Sequence, residues 1–231
     1  MIPRCMKGYL FMRYARIILT PLLGSWNNLV TTGQFRSLIL AKPVNRKGEP
    51  IPWFSYSAIN FLDQLELAGL RVFEYGTGNS TLFWSRKGCV VKAVEANEGW
   101  ADYVKKNAGS DAEIQYLADL DLYAKSILGH DGYFDIIVVD GAVRDKCADH
   151  AIHKLKPDGF MILDNSEAYP GVAKKLRDSG LLQVDFIGPA PLVHTWQATS
   201  LFFQRNHQFF GHTAPMWIPG MTVFPKDWKP V

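Results

Sequence analysis

What this chain of 231 residues lacks narrows it first. Its three cysteines, Cys5, Cys89 and Cys147, are widely spaced and odd in number. They make neither a disulfide framework nor a metal-ligand pattern, and they fit structural thiols in a reducing, cytoplasmic setting. Dense lysine and arginine runs are missing and the net charge is only +3, so no nucleic-acid partner is expected. No apolar stretch approaches the roughly 20 residues needed to cross a bilayer. The apolar N-terminal pieces, Tyr9–Met12 and Ile17–Leu23, are interrupted by Arg13 and Arg16 and broken by Pro21, and no clean leader-cleavage site follows. That region reads either as a helix packed on the domain or as a basic amphipathic segment on a membrane surface. Core material is plentiful: 48% of residues are hydrophobic and 13% aromatic, which suits one domain with a sizeable core.

The stretch that organises the rest is residues 71–81, Arg-Val-Phe-Glu-Tyr-Gly-Thr-Gly-Asn-Ser-Thr. β-Forming residues run into Glu74, Gly76 and Gly78 follow, and Asn79 and Ser80 can cap the helix suggested by 82–87. The expected element is a strand, a tight turn and a helix start. Glycines there permit φ > 0 and let a ligand approach the backbone, with helix N–H groups facing it. Two phosphate motifs are excluded: Thr81 stands where a dinucleotide fingerprint needs its third glycine, and no Gly-Lys-Ser/Thr follows. Glu74 would repel a diphosphate and attract a cation. This acidic-x-Gly-x-Gly arrangement resembles the first motif of the class I, Rossmann-like S-adenosylmethionine-dependent methyltransferases, whose cofactor carries an ammonium and a sulfonium.

Downstream spacing agrees. Residues 89–95 form a second strand closed by Glu95, about twenty residues past the turn, as a strand–helix–strand crossover requires. A carboxylate there can accept both ribose hydroxyls. Asn97 starts a helix whose Trp100 either packs in the core or flanks an adenine, while Trp53, Phe54 and Tyr56 read as core or hinge aromatics near a lid. A third strand covers 113–117, and the resemblance implies that an acid after it, Asp119 or its competitor Asp121, reads the adenine amino group. Residues 133–139 form a buried parallel strand ending at Asp140. A helix over 142–155, a turn at 156–159, a strand over 160–165, a helix over 170–179 and strands over 181–187 and 200–204 complete the pattern. The resemblance covers about residues 50–205. It implies a three-layer α/β sandwich with a seven-stranded, mostly parallel sheet whose last strand is antiparallel. A helical or loop extension (1–50) and a C-terminal tail (206–231) packed on the domain flank the 51–205 unit.

For such a fold the expected cofactor residues are Glu74, Gly76, Gly78, Asn79, Ser80, Glu95, Asp119 and Asp140. Methyl transfer requires mainly that the acceptor be positioned and, for a hydroxyl, deprotonated. Asp140, Asp164 and Asn165 end two adjacent strands, and such hard oxygens suit Mg²⁺ or Ca²⁺. In this the chain is similar to the cation-dependent O-methyltransferases of the catechol and caffeoyl-CoA type, where a divalent ion lowers a hydroxyl's pKa. It departs from them in having Gly141 after Asp140, and the Asp164-Asn165 pair could instead cap the next helix. A metal-free site would need another base; His194, in the long loop over 188–199, is the candidate beside Asp140, with Arg144 orienting an anionic acceptor. The absence of Asn/Asp-Pro-Pro-Tyr disfavours methylation of adenine amino groups. The expected activity is S-adenosylmethionine-dependent methylation, on oxygen, of a small-molecule or glycan acceptor. An aminopropyltransferase-like enzyme and a non-catalytic binding module on the same fold stay open as alternatives.

Overall fold

The computed structural model describes residues 16–17, 19–26, 29–205 and 207. Helices α1 (Gln34–Leu40) and α2 (Tyr56–Asp63) precede the sheet. The Ser55 hydroxyl caps α2 by accepting from the Ala58 N–H, and Ala58, Ile59 and Leu62 turn inward at helical spacing. Strands and helices then alternate: β1 (Arg71–Tyr75), α3 (Asn79–Arg86), β2 (Val90–Glu95), α4 (Glu98–Asn107), β3 (Ala112–Tyr116), α5 (Leu120–Lys125), β4 (Phe134–Val139), α6 (Arg144–Ala151), β5 (Leu155–Asp164), α7 (Pro170–Asp178), β6 (Leu182–Pro189) and β7 (Trp196–Phe203).

The seven strands lie in the order β3-β2-β1-β4-β5-β7-β6, with β7 antiparallel to both its neighbours and β1 to β5 parallel. Alternate residues of the central strands feed two cores. Val72, Ile136, Val138 and Ile162 face Phe83, Trp84 and Leu62 on one side. Phe73, Tyr75, Ile137, Val139 and Leu163 face Tyr123, Cys147 and Leu176 on the other. A sheet buried on both faces needs continuously apolar central strands, and every residue of β4 is buried. The expected three-layer sandwich is therefore the observed fold.

Three local expectations are corrected. The predicted turn at 156–159 lies within β5, whose pairing with β4 shifts register between Phe134 and Ile136. Gly159 permits this, since a Cβ there would stand 2.7 Å from the Asp135 carbonyl oxygen. The long loop over 188–199 shrinks to 190–195, because β6 and β7 pair as far as Pro189 and Trp196 and so satisfy backbone groups that a loop would leave to water. Asn79 and Ser80 are the first helical residues of α3, whose N-cap is Gly78.

Cys89 and Cys147 are free and buried, and burial pushes both thiols up to about 12. Cys5 lies outside the described residues. So does the C-terminal tail, apart from His207, whose ring packs against Phe160 and Phe203.

Candidate functional site

The site is built at the carboxyl ends of β1, β2 and β4, where a parallel sheet opens between crossover helices. After β1 the chain turns at Gly76 with φ 87°, and Gly76 N–H donates to the Val94 carbonyl at 2.9 Å. A Cβ on Gly76 would come within 2.8 Å of Gly141 Cα, so conformation and space both demand glycine. Gly78 is extended, at φ 175°, and its N–H donates to the Thr81 hydroxyl at 3.0 Å. Thr81 in turn donates to Glu74 at 2.5 Å. Glu74 thus braces the glycine turn from behind, through Thr81.

Glu74 is fully buried, and burial pushes its carboxyl up to about 8 against hydrogen bonds from Ser80 and Thr81. Burial thus favours its neutral form, and it is not among the residues lining the cleft, contrary to the expectation that its charge attracts a cationic ligand. Glu95, at the end of β2, braces the same turn from the other side. One of its oxygens accepts from the Thr77 N–H at 2.8 Å and the Thr77 hydroxyl at 3.1 Å; the other accepts from the Ala96 and Asn97 N–H groups, both at 2.9 Å. The carboxylate locks the end of β2 to the turn after β1.

Above this turn lies a cleft of about 440 Å³. Its floor is Thr77, Gly78, Asn79 and Ser80, and its one carboxylate is Asp140. Trp100 and Tyr103, ring-stacked at 5.2 Å, form one wall, and the Trp100 indole donates to the Thr77 carbonyl. The sequence left Trp100 between core and ligand; it lines the cleft and is substantially exposed, as is Trp53 on the opposite rim.

The roof comes from residues no motif announced. Ala41, Lys42 and Pro43, with Leu192 from the β6–β7 loop, close over the cleft. Asn79 donates to the Pro43 carbonyl at 2.6 Å, and Lys42 reaches the Tyr103 hydroxyl at 3.1 Å. Gln34 ties the roof to the domain: it accepts from the Tyr56 hydroxyl at 2.7 Å and the Leu192 N–H at 3.2 Å, and donates to the Val193 carbonyl at 3.1 Å. These contacts join segments 22 to 159 residues apart in sequence.

Asp140, Asp164 and Asn165 do converge, but around a guanidinium. Arg144 donates from Nη2 to the Asp140 carboxylate at 2.8 Å and carbonyl at 3.4 Å, from Nη1 to the Asp164 carbonyl and the Asn165 side-chain oxygen, and from Nε to the Gly141 carbonyl at 3.2 Å. All five of its N–H donors are used. The Tyr169 ring covers the guanidinium at 4.6 Å. Asp164 accepts from the Thr199 hydroxyl at 2.5 Å, and burial with the nearby Asp140 charge raises its carboxyl well above the ordinary range. Asn165 takes the left-handed conformation, φ 50°. The set does not fit Mg²⁺, because Arg144 already engages the Asp140 carboxylate and the Asn165 side-chain oxygen, and the Asp164 carboxylate is turned to the Thr199 hydroxyl. Among the described residues no cluster of three or more His, Cys, Asp or Glu is placed to hold a metal ion. Nor is Arg144 free to orient an anionic acceptor.

The remaining candidates lie apart. Asp119 caps α5, one oxygen accepting from the Asp121 and Leu122 N–H groups, and is exposed. Asp121 pairs with Lys146 at 2.6 Å. His194 is exposed on the β6–β7 loop, and Leu192, two residues earlier, is the one that lines the cleft.

No family model and no curated sequence matches the chain. Solved structures do. A precorrin-6y C5,15-methyltransferase from Geobacter metallireducens superposes with TM-score 0.52 at 14% identity, over 64% of this chain and 87% of the other. An O-methyltransferase of tomaymycin synthesis from Streptomyces achromogenes, solved in complex with S-adenosylmethionine, superposes with TM-score 0.52 at 16% identity, over 64% and 78%. The fold is that of the class I S-adenosylmethionine-dependent methyltransferases.

Proposed function

We propose that the chain binds S-adenosylmethionine in the cleft over the Gly76–Ser80 turn and methylates a small acceptor, on oxygen. The observation that carries this reading is the cleft itself: a nucleoside-sized space at the strand edge, floored by the glycine turn and walled by Trp53 and Trp100. Thr77, Gly78, Asn79 and Ser80 would hold the cofactor's amino-acid part and sugar, with Glu95 setting the backbone of Thr77, and Trp100 offers a flat face for a base. When bound, the cofactor supplies a methyl group made electrophilic by its sulfonium. The protein's task is then to hold an acceptor, keep water out and take a proton.

Asp140 suits the last of these. It is the carboxylate in the cleft wall; burial raises it to about 6, against the Arg144 charge, and Glu95 pushes in the same direction as burial. A base with a pKa slightly below neutrality is ionised in use yet still basic enough to accept a proton. The Arg144 hydrogen bond fixes the direction in which that carboxylate points. Trp53 and Leu192 give the acceptor side an apolar surface.

An aminopropyl transfer wants an acidic channel for a polyamine. The wall here sets one carboxylate, Asp140, against one ammonium, Lys42, and so favours the methyl-transfer reading. Calorimetric titration with S-adenosylmethionine and with its demethylated product tests the proposal. Micromolar binding of both is expected. No binding of either would overturn it and leave a non-catalytic module on this fold.

A further inference from the structure

Residues 19–26 are helical, and every side chain in that stretch is exposed. Leu19, Leu22, Leu23 and Trp26 fall at i, i+3, i+4 and i+7, a single apolar stripe. In α1, Phe35, Leu38 and Ile39 repeat the spacing and are also exposed, Ile39 by 68%. The stripes meet where the Trp26 and Phe35 rings lie 6.2 Å apart. A helical stretch whose side chains are exposed on every face draws little stability from packing on its own domain. This one carries an ordered apolar stripe that the domain leaves uncovered.

The charge around the stripe identifies what covers it. Residues 1–50 contain eight lysines and arginines and one acid, Glu49. Glu49 is already paired with Arg86 at 3.1 Å. Beside the Trp26–Phe35 contact runs a groove of about 460 Å³ in which Val30 and Phe35 sit next to Arg36, Arg46 and Lys47. Apolar side chains flanked by cations with no competing acid complement an anionic lipid surface, where acyl chains meet phosphates and Trp sits at the boundary.

We propose that the N-terminal segment docks the protein on an anionic bilayer, lying in the interface without crossing it. Among the described residues no helix is long and apolar enough to span. The same segment runs directly into Ala41–Pro43, the roof of the cleft, so one stretch of chain serves both surfaces.

Flotation of the full chain with phosphatidylcholine vesicles, plain or with about 30% phosphatidylglycerol, tests this without reference to methyl transfer. Binding to the anionic vesicles is expected, weakening as salt rises from roughly 0.1 to 0.5 M. Two triple variants, Leu22→Gln/Leu23→Gln/Trp26→Gln and Arg36→Glu/Arg46→Glu/Lys47→Glu, should each bind at least about tenfold more weakly at unchanged melting temperature. If a variant misfolds, the lipid and salt dependence of the wild type still decides. Failure to bind anionic vesicles, equal binding to both vesicle types, or a dimer broken by the leucine–tryptophan variant in the absence of vesicle binding would each overturn the proposal. The last result would assign the stripe to a second copy of the chain.

Discussion

Gly76 and Gly141 touch across the carboxyl ends of β1 and β4. A Cβ on Gly141 would stand 2.7 Å from Gly76 N and 2.0 Å from the Tyr123 hydroxyl. The glycine that follows Asp140 is a packing requirement: it lets the glycine turn sit down on β4, beside the carboxylate that lines the cleft.

Gly141→Ala should therefore lower stability by about 2–4 kcal/mol, the range for overpacking a rigid site. Removing the clashing hydroxyl in Gly141→Ala/Tyr123→Phe should restore part of the loss. Urea unfolding midpoints of the two variants measure this. Equal stability of the single variant and wild type would show that the contact is relaxed in solution.

Arg144 joins the ends of β4 and β5 with all its donors. Arg144→Ala leaves the partly exposed Asp140 without its cation and the Gly141 and Asp164 carbonyls without their donor, and should cost about 1–3 kcal/mol. Arg144→Lys should recover little, because one ammonium cannot span oxygens on Asp140, Gly141, Asp164 and Asn165. Thermal unfolding of the pair checks the claim; full recovery by lysine would mean that charge alone matters.

Adding Mg²⁺ or a chelator should leave both the melting temperature and the affinity for S-adenosylmethionine unchanged. A metal-dependent rise in melting temperature of several degrees would restore an ion to the Asp140–Asp164–Asn165 group.

Glu74 makes stability depend on pH in a definite direction. Its ordinary value is 4.5 and its folded value about 8. The native state thus keeps a proton that the unfolded chain gives up, so its contribution is fully present below pH 4.5 and is lost as pH rises through 8. Glu74→Gln still accepts from Thr81 but cannot ionise. Its melting temperature should exceed that of wild type at pH 8 and lose the advantage by pH 5. Parallel curves for the two proteins would show that Glu74 is ionised in the fold.

Glu95→Ala should weaken cofactor binding by about 1.5–3 kcal/mol, roughly 10- to 150-fold. Glu95→Gln should fare no better, since all four protein partners are donors and an amide NH₂ would face two of them. Titration calorimetry reads both. Unchanged affinity would remove Glu95 from the proposed site.

The sequence by itself determined the order of strands and helices and the location of the glycine turn, because local patterns carry them. The continuous apolar run of β4 demands burial on both faces. Gly76 and Gly78 mark the turn, and the distance from it to Glu95 suffices for one crossover. Burial, charge state and partnership were decided only by the tertiary structure. Glu74 reads as a charge facing a cationic cofactor and is a buried brace whose neutral form burial favours, because α3 packs over it and excludes water. Asp140, Asp164 and Asn165 read as metal ligands until Arg144, from the intervening helix, enters among them. The cleft's roof is a long-range product: the hydrogen bonds of Asn79 to Pro43 and of Leu192 to Gln34 join separate stretches of chain and are invisible to any local period.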